Sequence, residues 1–220
     1  MKHTILFFIF TLIAKTLLGI VIPLSSDEAY YWVWAHHLQL SFFDHPPMVS
    51  WLFFLGTPFE NFLSGPRIPG IIMGHITLFI WFKIISPFLE PPKQKWLLWA
   101  LLLTPLTGIG SLIITPDLPL LFFWSVALFF FLHLMAKKNS SSAFLLGTAL
   151  CLGFCSKYHI VLFFPLAFLW LFNRRREIIL PLRAYSITAL AFFIFGFPVF
   201  YWNYMNDFIS FKFQLNHGLG

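Results

Sequence analysis

The stretch Ser25–Trp51, SSDEAYYWVWAHHLQLSFFDHPPMVSW, is the longest polar interruption in an otherwise apolar chain. It holds three of the eight acidic residues and three of the eight histidines. On both sides of it lie apolar runs long enough to cross a bilayer, which takes about 20 residues. We therefore expect this stretch to lie at the membrane surface and to contain the residues on which any chemistry depends.

Composition indicates a membrane protein. The 220 residues are 59% hydrophobic, 21% aromatic and only 10% charged, whereas soluble domains contain about 45–50% apolar and about 25% charged residues. This excess predicts an all-α, polytopic membrane protein. The net charge of +6 does not indicate nucleic-acid binding, because the charges alternate in blocks between apolar runs, as topology signals do.

The apolar runs predict about seven transmembrane helices, with interfacial helices in the first outer loop. The predicted spans are Thr4–Pro23, Arg67–Ile85, Trp96–Ile114, Leu118–Ala136 and Leu182–Trp202, together with two shorter helices within Ala143–Phe172. We expect those two shorter helices to meet at Ser156–His159, where polar residues interrupt the run.

The distribution of charge predicts the orientation of these helices. With the N-terminus inside, most lysines and arginines between the predicted spans fall in the cytoplasm. Six of the eight acidic residues then fall outside, namely Asp27, Glu28, Asp44, Glu60, Asp117 and Asp207. Because the two segregations agree, we expect the active site on the outer face, in the loop 24–66.

The sequence Ser25-Ser26-Asp27-Glu28 has two interpretations. In the first, Ser25 caps a helix and Glu28 reaches back to it in a capping box, while Asp27 suits the positive end of the helix dipole. In the second, Asp27 and Glu28 are catalytic carboxylates. The segment AYYWVWAHHL that follows has the tyrosine and tryptophan content of an interfacial helix.

The sequence Asp44-His45-Pro46-Pro47 also has two interpretations. A turn would explain it, because residues before proline avoid the helical region and proline suits the first turn of the next helix. Alternatively, the rigid Pro46-Pro47 pair holds Asp44 and His45 on the rim of a binding site.

Asp117 opens the fourth predicted span in the sequence Thr115-Pro116-Asp117, which is typical of a helix cap. Its position nevertheless adds a third carboxylate to the outer face. An ionisable group at the membrane edge is costly and is therefore a candidate for function.

Ser156-Lys157-Tyr158-His159 interrupts an apolar run of about 30 residues. A hairpin tip whose lysine extends to the lipid headgroups would explain it. The alternative is a phosphate site, since a lysine ammonium pairs well with a lipid phosphate. Tyr158 and His159 would then line the same site.

Four segments in this order resemble one known family: DEAYYWVWAHHLQLSFFDHPP, TPDLPLLFFW, GFCSKYHIVLFFP, and YWN followed by DFISFKFQLNHG. They are similar to the N-terminal half of bacterial GT-C glycosyltransferases of the dolichyl-phosphate-mannose protein mannosyltransferase and lipid A aminoarabinose transferase type. The similarity extends over nearly all of the chain, and the pairing of DEAYYW with DHPP is its most specific part.

The resemblance implies an inverting transferase that moves a sugar from a polyprenyl-phosphate carrier to a lipid, glycan or protein acceptor, on the outer face of the bacterial inner membrane. Asp27 matches the family's catalytic base, and Asp117 matches the acidic residue of the second outer loop. Lys157 matches a lysine near the carrier phosphate, while Asp44 and His45 match the second motif of the first loop.

Members of this family typically continue for several hundred more residues. We therefore expect residues 1–220 to form a single, truncated transmembrane domain, or one half of an enzyme that needs a partner. A non-catalytic carrier-lipid-binding protein or an inactive fragment is the alternative. A small transporter is the third hypothesis, although its ionisable residues would be expected near mid-bilayer and not at one surface. The sequence indicates no cofactor and no metal-ligand set, and leaves the involvement of a divalent metal open.

Overall fold

A computed structural model of the protein describes residues 2–174 and 180–219. Within these ranges the chain folds into ten α-helices, joined by turns and short 3-10 segments, and contains no strand. The expected all-α class is confirmed. The helices are α1 (Lys2–Val21), α2 (Ser26–Ala35), α3 (Met48–Gly56), α4 (Ile68–Ile85), α5 (Pro91–Leu103), α6 (Asp117–Lys137), α7 (Ser140–Phe154), α8 (Phe163–Asn173), α9 (Leu182–Met205) and α10 (Ile209–Leu219).

Four segments of the described chain are long and apolar enough to cross a membrane. They are His3–Val21, Gly65–Phe88, Asp117–Lys137 and Leu182–Met205. Large apolar side chains stay exposed on them; Phe10 is 71% exposed and Phe197 is 62% exposed. Lipid hydrocarbon is the solvent that suits such faces. These four segments match the first, second, fourth and last predicted spans, whereas the other three predicted spans correspond to shorter helices.

The structure corrects the third predicted span, Trp96–Ile114. Helix α5 ends at Leu103, and the chain continues as turns and a 3-10 segment, Ile109–Leu112. Thr104 has the extended conformation (φ −65°, ψ 141°) expected of a residue before proline. Pro105 lacks the N–H that a continuing helix would need. The apolar stretch 96–114 therefore does not form one continuous helix.

The chain forms two compact units. The first unit consists of Met1–Leu38 and Val49–Phe122, and the second consists of Gln39–Met48 and Phe123–Gly220. The predicted loop 24–66 thus contributes residues to both. Each unit has its own set of buried polar contacts.

Arg67, just before α4, is a buried cation that organises the first unit, with only 1% of its surface exposed. All five of its N–H donors have acceptors. Two of them bind Glu28, with Nε 2.7 Å from Oε1 and Nη2 2.5 Å from Oε2. The other three donate to the carbonyl oxygens of Gly19, Ile22 and Pro23, at 2.7, 2.9 and 3.0 Å. Arg67 thereby ties the end of α1 to the start of α4.

Glu28, near the start of α2, is fully buried and binds three partners. Besides Arg67, its Oε1 accepts from the backbone N–H of Ile114 at 2.9 Å, and its Oε2 accepts from the N–H of Ser25 at 3.0 Å. The Ser25 hydroxyl in turn accepts from the N–H of Glu28 at 3.3 Å, which completes a capping box. The expected capping box is confirmed, and it also joins α2 to the segment that precedes α6.

The environment of Glu28 keeps its carboxylate ionised. Burial alone would raise the pKa of this group. The hydrogen bonds from Arg67, Ile114 and Ser25, together with the charge of Arg67, outweigh burial and hold the pKa of Glu28 below its ordinary value.

Lys15 is a second buried cation in the first unit, in the middle of α1. Its ammonium donates to the carbonyl oxygen of Thr107 at 2.6 Å and to the hydroxyl of Ser111 at 2.9 Å. A charged group at membrane depth needs such partners. These bonds hold the irregular segment after α5 against α1.

In the second unit, α7 and α9 pack closely along a face of small residues. Ala143, Gly147 and Cys151 recur at four-residue spacing on α7, a pattern that lets membrane helices approach each other. A Cβ added at Gly147 would lie 2.3 Å from the carbonyl oxygen of Thr188, so only glycine permits this approach. The Thr188 hydroxyl donates to the carbonyl of Ala143 at 3.1 Å. This packing fixes the end of α7, where the polar break occurs.

Arg67→Met is expected to lower the free energy of unfolding by about 3–5 kcal/mol, because it leaves the carboxylate of Glu28 buried without its cation. The measurement is denaturant unfolding of the purified protein in detergent. Lys93→Met is the matched control, since Lys93 pairs with Glu90 at 3.2 Å on the surface and exposed pairs contribute at most about 1 kcal/mol. A loss for Arg67→Met no larger than that of the control would contradict a stabilising role for the buried pair.

Acidification is expected to lower the stability of the folded protein, because it protonates Glu28. The folded-state pKa of Glu28 lies below its ordinary value of 4.5, so ionisation of this group favours the folded state. The stabilisation is fully present above about pH 4.5 and is lost as the pH falls through the lower folded-state pKa. We expect the thermal midpoint to fall on acidification below that pH, and to fall less in Glu28→Gln. Identical acid-side profiles for the two proteins would refute the prediction.

Candidate functional site

The turn Asp44–Pro47 is held in place by backbone hydrogen bonds within the second unit. The N–H of Phe42 donates to the carbonyl of His45 at 3.1 Å, which closes the turn. The N–H of Met48, at the start of α3, donates to the carbonyl of Cys155 at 2.9 Å, just after the end of α7. The turn therefore lies beside the polar break that follows α7.

The segment Ser156–His159 interrupts the helices as the sequence predicts. The N–H groups of Ser156 and Lys157 both donate to the carbonyl of Gly153, at 3.0 and 2.9 Å, and end α7. Lys157 is extended (φ −158°, ψ 136°), and a 3-10 segment from Tyr158 to Leu162 then leads into α8. Ser156 and Lys157 therefore lie between α7 and the 3-10 segment, outside either helix.

These two motifs, more than 100 residues apart in sequence, line one cavity of about 1080 Å³. From the Asp44–Pro47 turn come Asp44 and His45, and from the break come Lys157, Tyr158 and His159. The remaining lining residues are largely apolar and aromatic: Phe154, Val161, Leu162, Phe200, Phe211, Phe213, Gln214 and Leu215. We call this space the polar-rimmed cavity.

The polar-rimmed cavity combines opposite chemical characters. An ammonium group, a carboxylate and two imidazoles occur beside a wall of phenylalanine rings. An ammonium provides an electrostatic partner for a phosphate, and an apolar wall suits a hydrocarbon tail. An amphipathic phosphate ester is the class of ligand that this combination fits.

Tyr158 is oriented by two side chains from neighbouring helices. Its hydroxyl lies 2.9 Å from the hydroxyl of Ser210 on α10 and accepts from the side-chain amide of Asn203 on α9 at 3.3 Å. Asn203 is itself fully buried and also donates to the carbonyl of Val199 at 3.1 Å. The ring of Tyr158 is therefore fixed by the structure around it.

Three further residues predicted for the site belong to the first unit. Asp27 and Asp117 are exposed, at the starts of α2 and α6, whereas Glu28 is completely buried. The bond from Ile114 to Glu28 brings the start of α2 to the segment that leads into Asp117. An exposed carboxylate can receive a proton from a substrate, while the carboxylate of Glu28 is saturated by protein donors.

Sequence reasoning missed several residues that position these groups. Arg67 stands at the edge of a predicted span, where the cost of a buried charge could have marked it as significant. Ser210 and Gln214 gave no comparable signal, because their partners are distant in sequence and α10 was not predicted.

No group of three or more histidine, cysteine, aspartate or glutamate residues suited to hold a metal ion occurs within residues 2–174 and 180–219. Cys151 and Cys155 are free and buried.

Comparison with known proteins gives two matches. A family model described as dolichyl-phosphate-mannose-protein mannosyltransferase matches residues 44–202. The lipid A galacturonosyltransferase RgtD of Rhizobium johnstonii is 25% identical to the chain over 189 residues. That alignment covers 82% of this chain, but the chain spans only 38% of the length of RgtD. No solved structure matches the chain.

The family match extends over most of the chain and includes the Asp44–Pro47 turn, Asp117 and the Ser156–His159 break. It agrees with the resemblance of the sequence motifs to GT-C glycosyltransferases. Together with the long apolar helices, it identifies a multi-pass membrane protein. The chain belongs to the dolichyl-phosphate-mannose-protein mannosyltransferase family.

Proposed function

We propose that this chain forms the donor-binding part of a membrane glycosyltransferase. Its donor is a sugar on a polyprenyl phosphate, its acceptor lies on the outer face of the bacterial inner membrane, and transfer proceeds with inversion. The observation that supports this most is the polar-rimmed cavity, which places Lys157 and Asp44 beside an apolar wall. Membership of the family supports the same reaction class.

Lys157 is proposed to bind the phosphate of the carrier. As the sugar leaves, negative charge develops on the phosphate oxygens, and a fixed ammonium stabilises that charge in a site of low dielectric constant. Tyr158 is held by Ser210 and Asn203, and can donate or share a hydrogen bond at the same position. The phenylalanine wall accommodates the first isoprene units.

Asp27 is proposed as the general base. In an inverting transfer one carboxylate accepts the acceptor's proton, while the anomeric carbon passes through an oxocarbenium-like state. Asp27 is exposed, so an acceptor hydroxyl can reach it. Glu28 is then a positioning residue, because its bonds to Arg67 and Ile114 fix the first turn of α2 that presents Asp27.

Asp117, Asp44 and His45 are proposed to shape the sites for sugar and acceptor. Asp117 stands at the start of α6, and its carboxylate is exposed. By its name the relative from Rhizobium acts on lipid A, so an envelope lipid is the first acceptor to test.

The second candidate is a non-catalytic protein that binds a carrier lipid. The polar-rimmed cavity supports it as well, because binding of a carrier lipid needs only a partner for the phosphate and an apolar wall for the hydrocarbon chain. Such a protein would bind a polyprenyl phosphate in the polar-rimmed cavity without transferring a sugar. The two candidates differ in turnover and not in donor binding.

Asp27→Asn is expected to lower the rate of sugar transfer by about 10²–10⁴-fold, the contribution of a general base. The assay follows transfer of labelled sugar from a polyprenyl-phosphate donor to lipid A by purified protein in detergent. Glu90→Gln is the matched control, since Glu90 is an exposed carboxylate in the first unit that does not line the polar-rimmed cavity. If Asp27→Asn transfers sugar at the parental rate, Asp27 is not the general base. If the parental protein binds the carrier but transfers no sugar, the result favours the second candidate.

Lys157→Ala is expected to weaken binding of undecaprenyl phosphate about ten- to a hundredfold, as loss of a hydrogen bond to a charged group does. Binding is measured by titration in detergent, alongside the thermal midpoint of each protein. Lys95→Ala is the control, because Lys95 is an exposed lysine on α5 in the first unit. A parallel loss of affinity and stability in Lys157→Ala, or no loss of affinity, would assign Lys157 to the fold and not to the ligand.

A further inference from the structure

We infer that Ser210 and Gln214 on α10 are positioning residues, which connect both motifs of the polar-rimmed cavity to one helix and so set the geometry of its ligand-binding groups. Both residues lie in the segment DFISFKFQLNHG, but neither is among the candidate site residues of the sequence analysis. It relies on the proposed function only for the identity of the ligand.

Gln214 holds the Asp44–Pro47 turn. Its side-chain amide Nε2 donates to the backbone carbonyl of Asp44 at 2.5 Å, across 170 residues of sequence. The two flanking aromatic rings, Phe43 and Phe213, also meet, with ring centroids 4.7 Å apart. The turn that presents Asp44 and His45 is thus attached to α10 by a polar bond and an aromatic contact.

Ser210 holds the other motif. It is fully buried, and its hydroxyl lies 2.9 Å from the hydroxyl of Tyr158. Phe211, the next residue of α10, packs edge-on against the ring of Tyr158 at 5.0 Å and lies 6.3 Å from the ring of Phe154. Tyr158 follows Lys157 directly, so whatever fixes Tyr158 also limits where the lysine ammonium can go.

The spacing of the two residues matters, because Ser210 and Gln214 are four residues apart. Residues at i and i+4 lie on the same face of a helix, about one turn apart. One face of α10 therefore bonds to both motifs, and the distance between its two side chains is set by the rigid geometry of the helix. Rotation or displacement of α10 would change the positions of both motifs together.

The connection between α9 and α10 restricts such displacement. Asp207 and Phe208 have left-handed conformations, with φ of 54° and 56°, which non-glycine residues adopt rarely. The N–H of Phe208 donates to the carbonyl of Asn203 at 2.7 Å, and the N–H of Lys212 donates to the carbonyl of Phe208 at 2.9 Å. This bonded turn fixes the direction in which α10 leaves α9.

The test is hydrogen–deuterium exchange on Gln214→Met and Ser210→Ala, which remove one donor or hydroxyl with little change of volume. Gln94→Met is the matched control, because Gln94 in the first unit also donates its side-chain amide to backbone carbonyls, those of Ser86 and Leu89. We expect exchange in segment 41–48 to quicken about three- to tenfold in Gln214→Met, as loss of one hydrogen bond allows. In Ser210→Ala we expect the exchange rate to rise in segment 156–162. Gln94→Met should change the exchange rate of neither segment.

Binding of undecaprenyl phosphate provides the second measurement. We expect its dissociation constant to rise about three- to tenfold in both α10 variants, with Ser210→Thr, which keeps the hydroxyl, restoring parental affinity. In a Tyr158→Phe background, Ser210→Ala should have no additional effect, because the partner hydroxyl is already gone.

Unchanged exchange in both segments, or quickened exchange throughout the second unit, would overturn the inference. Unchanged affinity in variants whose segments do exchange faster would overturn it as well. If the segments respond as expected but the parental protein does not bind undecaprenyl phosphate, the positioning role stands and the proposed function fails.

Discussion

The buried pair of Glu28 and Arg67 is the interaction on which the first unit depends. Neither group can be removed from water without partners, and the cost is greater where the surroundings are lipid. Both groups are fully hydrogen-bonded, because every N–H of the guanidinium has an acceptor and both carboxylate oxygens have more than one donor. The ends of three helices and the segment before α6 are thereby fixed at one point, from which Asp27 extends outward.

In the second unit the same requirement is met in a different way. The polar groups collect where helices are interrupted, at the turn before α3 and at the break after α7, and they are fixed by backbone carbonyls and by α10. An interruption at membrane depth is tolerated where it lines a cavity. The charged rim of the polar-rimmed cavity therefore comes from the residues at these interruptions, whereas much of its apolar wall comes from α9 and α10.

Local patterns in the sequence were sufficient for part of this architecture. Hydropathy located the four long helices, polar residues located the break at Ser156–His159, and the spacing of Ser25 and Glu28 identified the capping box. The prediction of the third span is wrong because Thr104-Pro105 ends helix α5 locally, although the hydropathy of the stretch continues beyond it. The acidic partner of Arg67, 39 residues away, and the contact of Gln214 with Asp44 depend on tertiary packing, which no local pattern specifies.

The position of Glu28 between Arg67 and Ile114 also has a consequence for biogenesis. A membrane protein is synthesised from its N-terminus, and early segments can associate before later ones emerge. Both partners of the ion pair, Glu28 on α2 and Arg67 just before α4, are synthesised early, whereas the donor from Ile114 follows some 47 residues after Arg67 (114 − 67). A nascent chain that has reached the start of α4 therefore already contains both partners of the ion pair, and its two charges can be paired before the donor from Ile114 is synthesised.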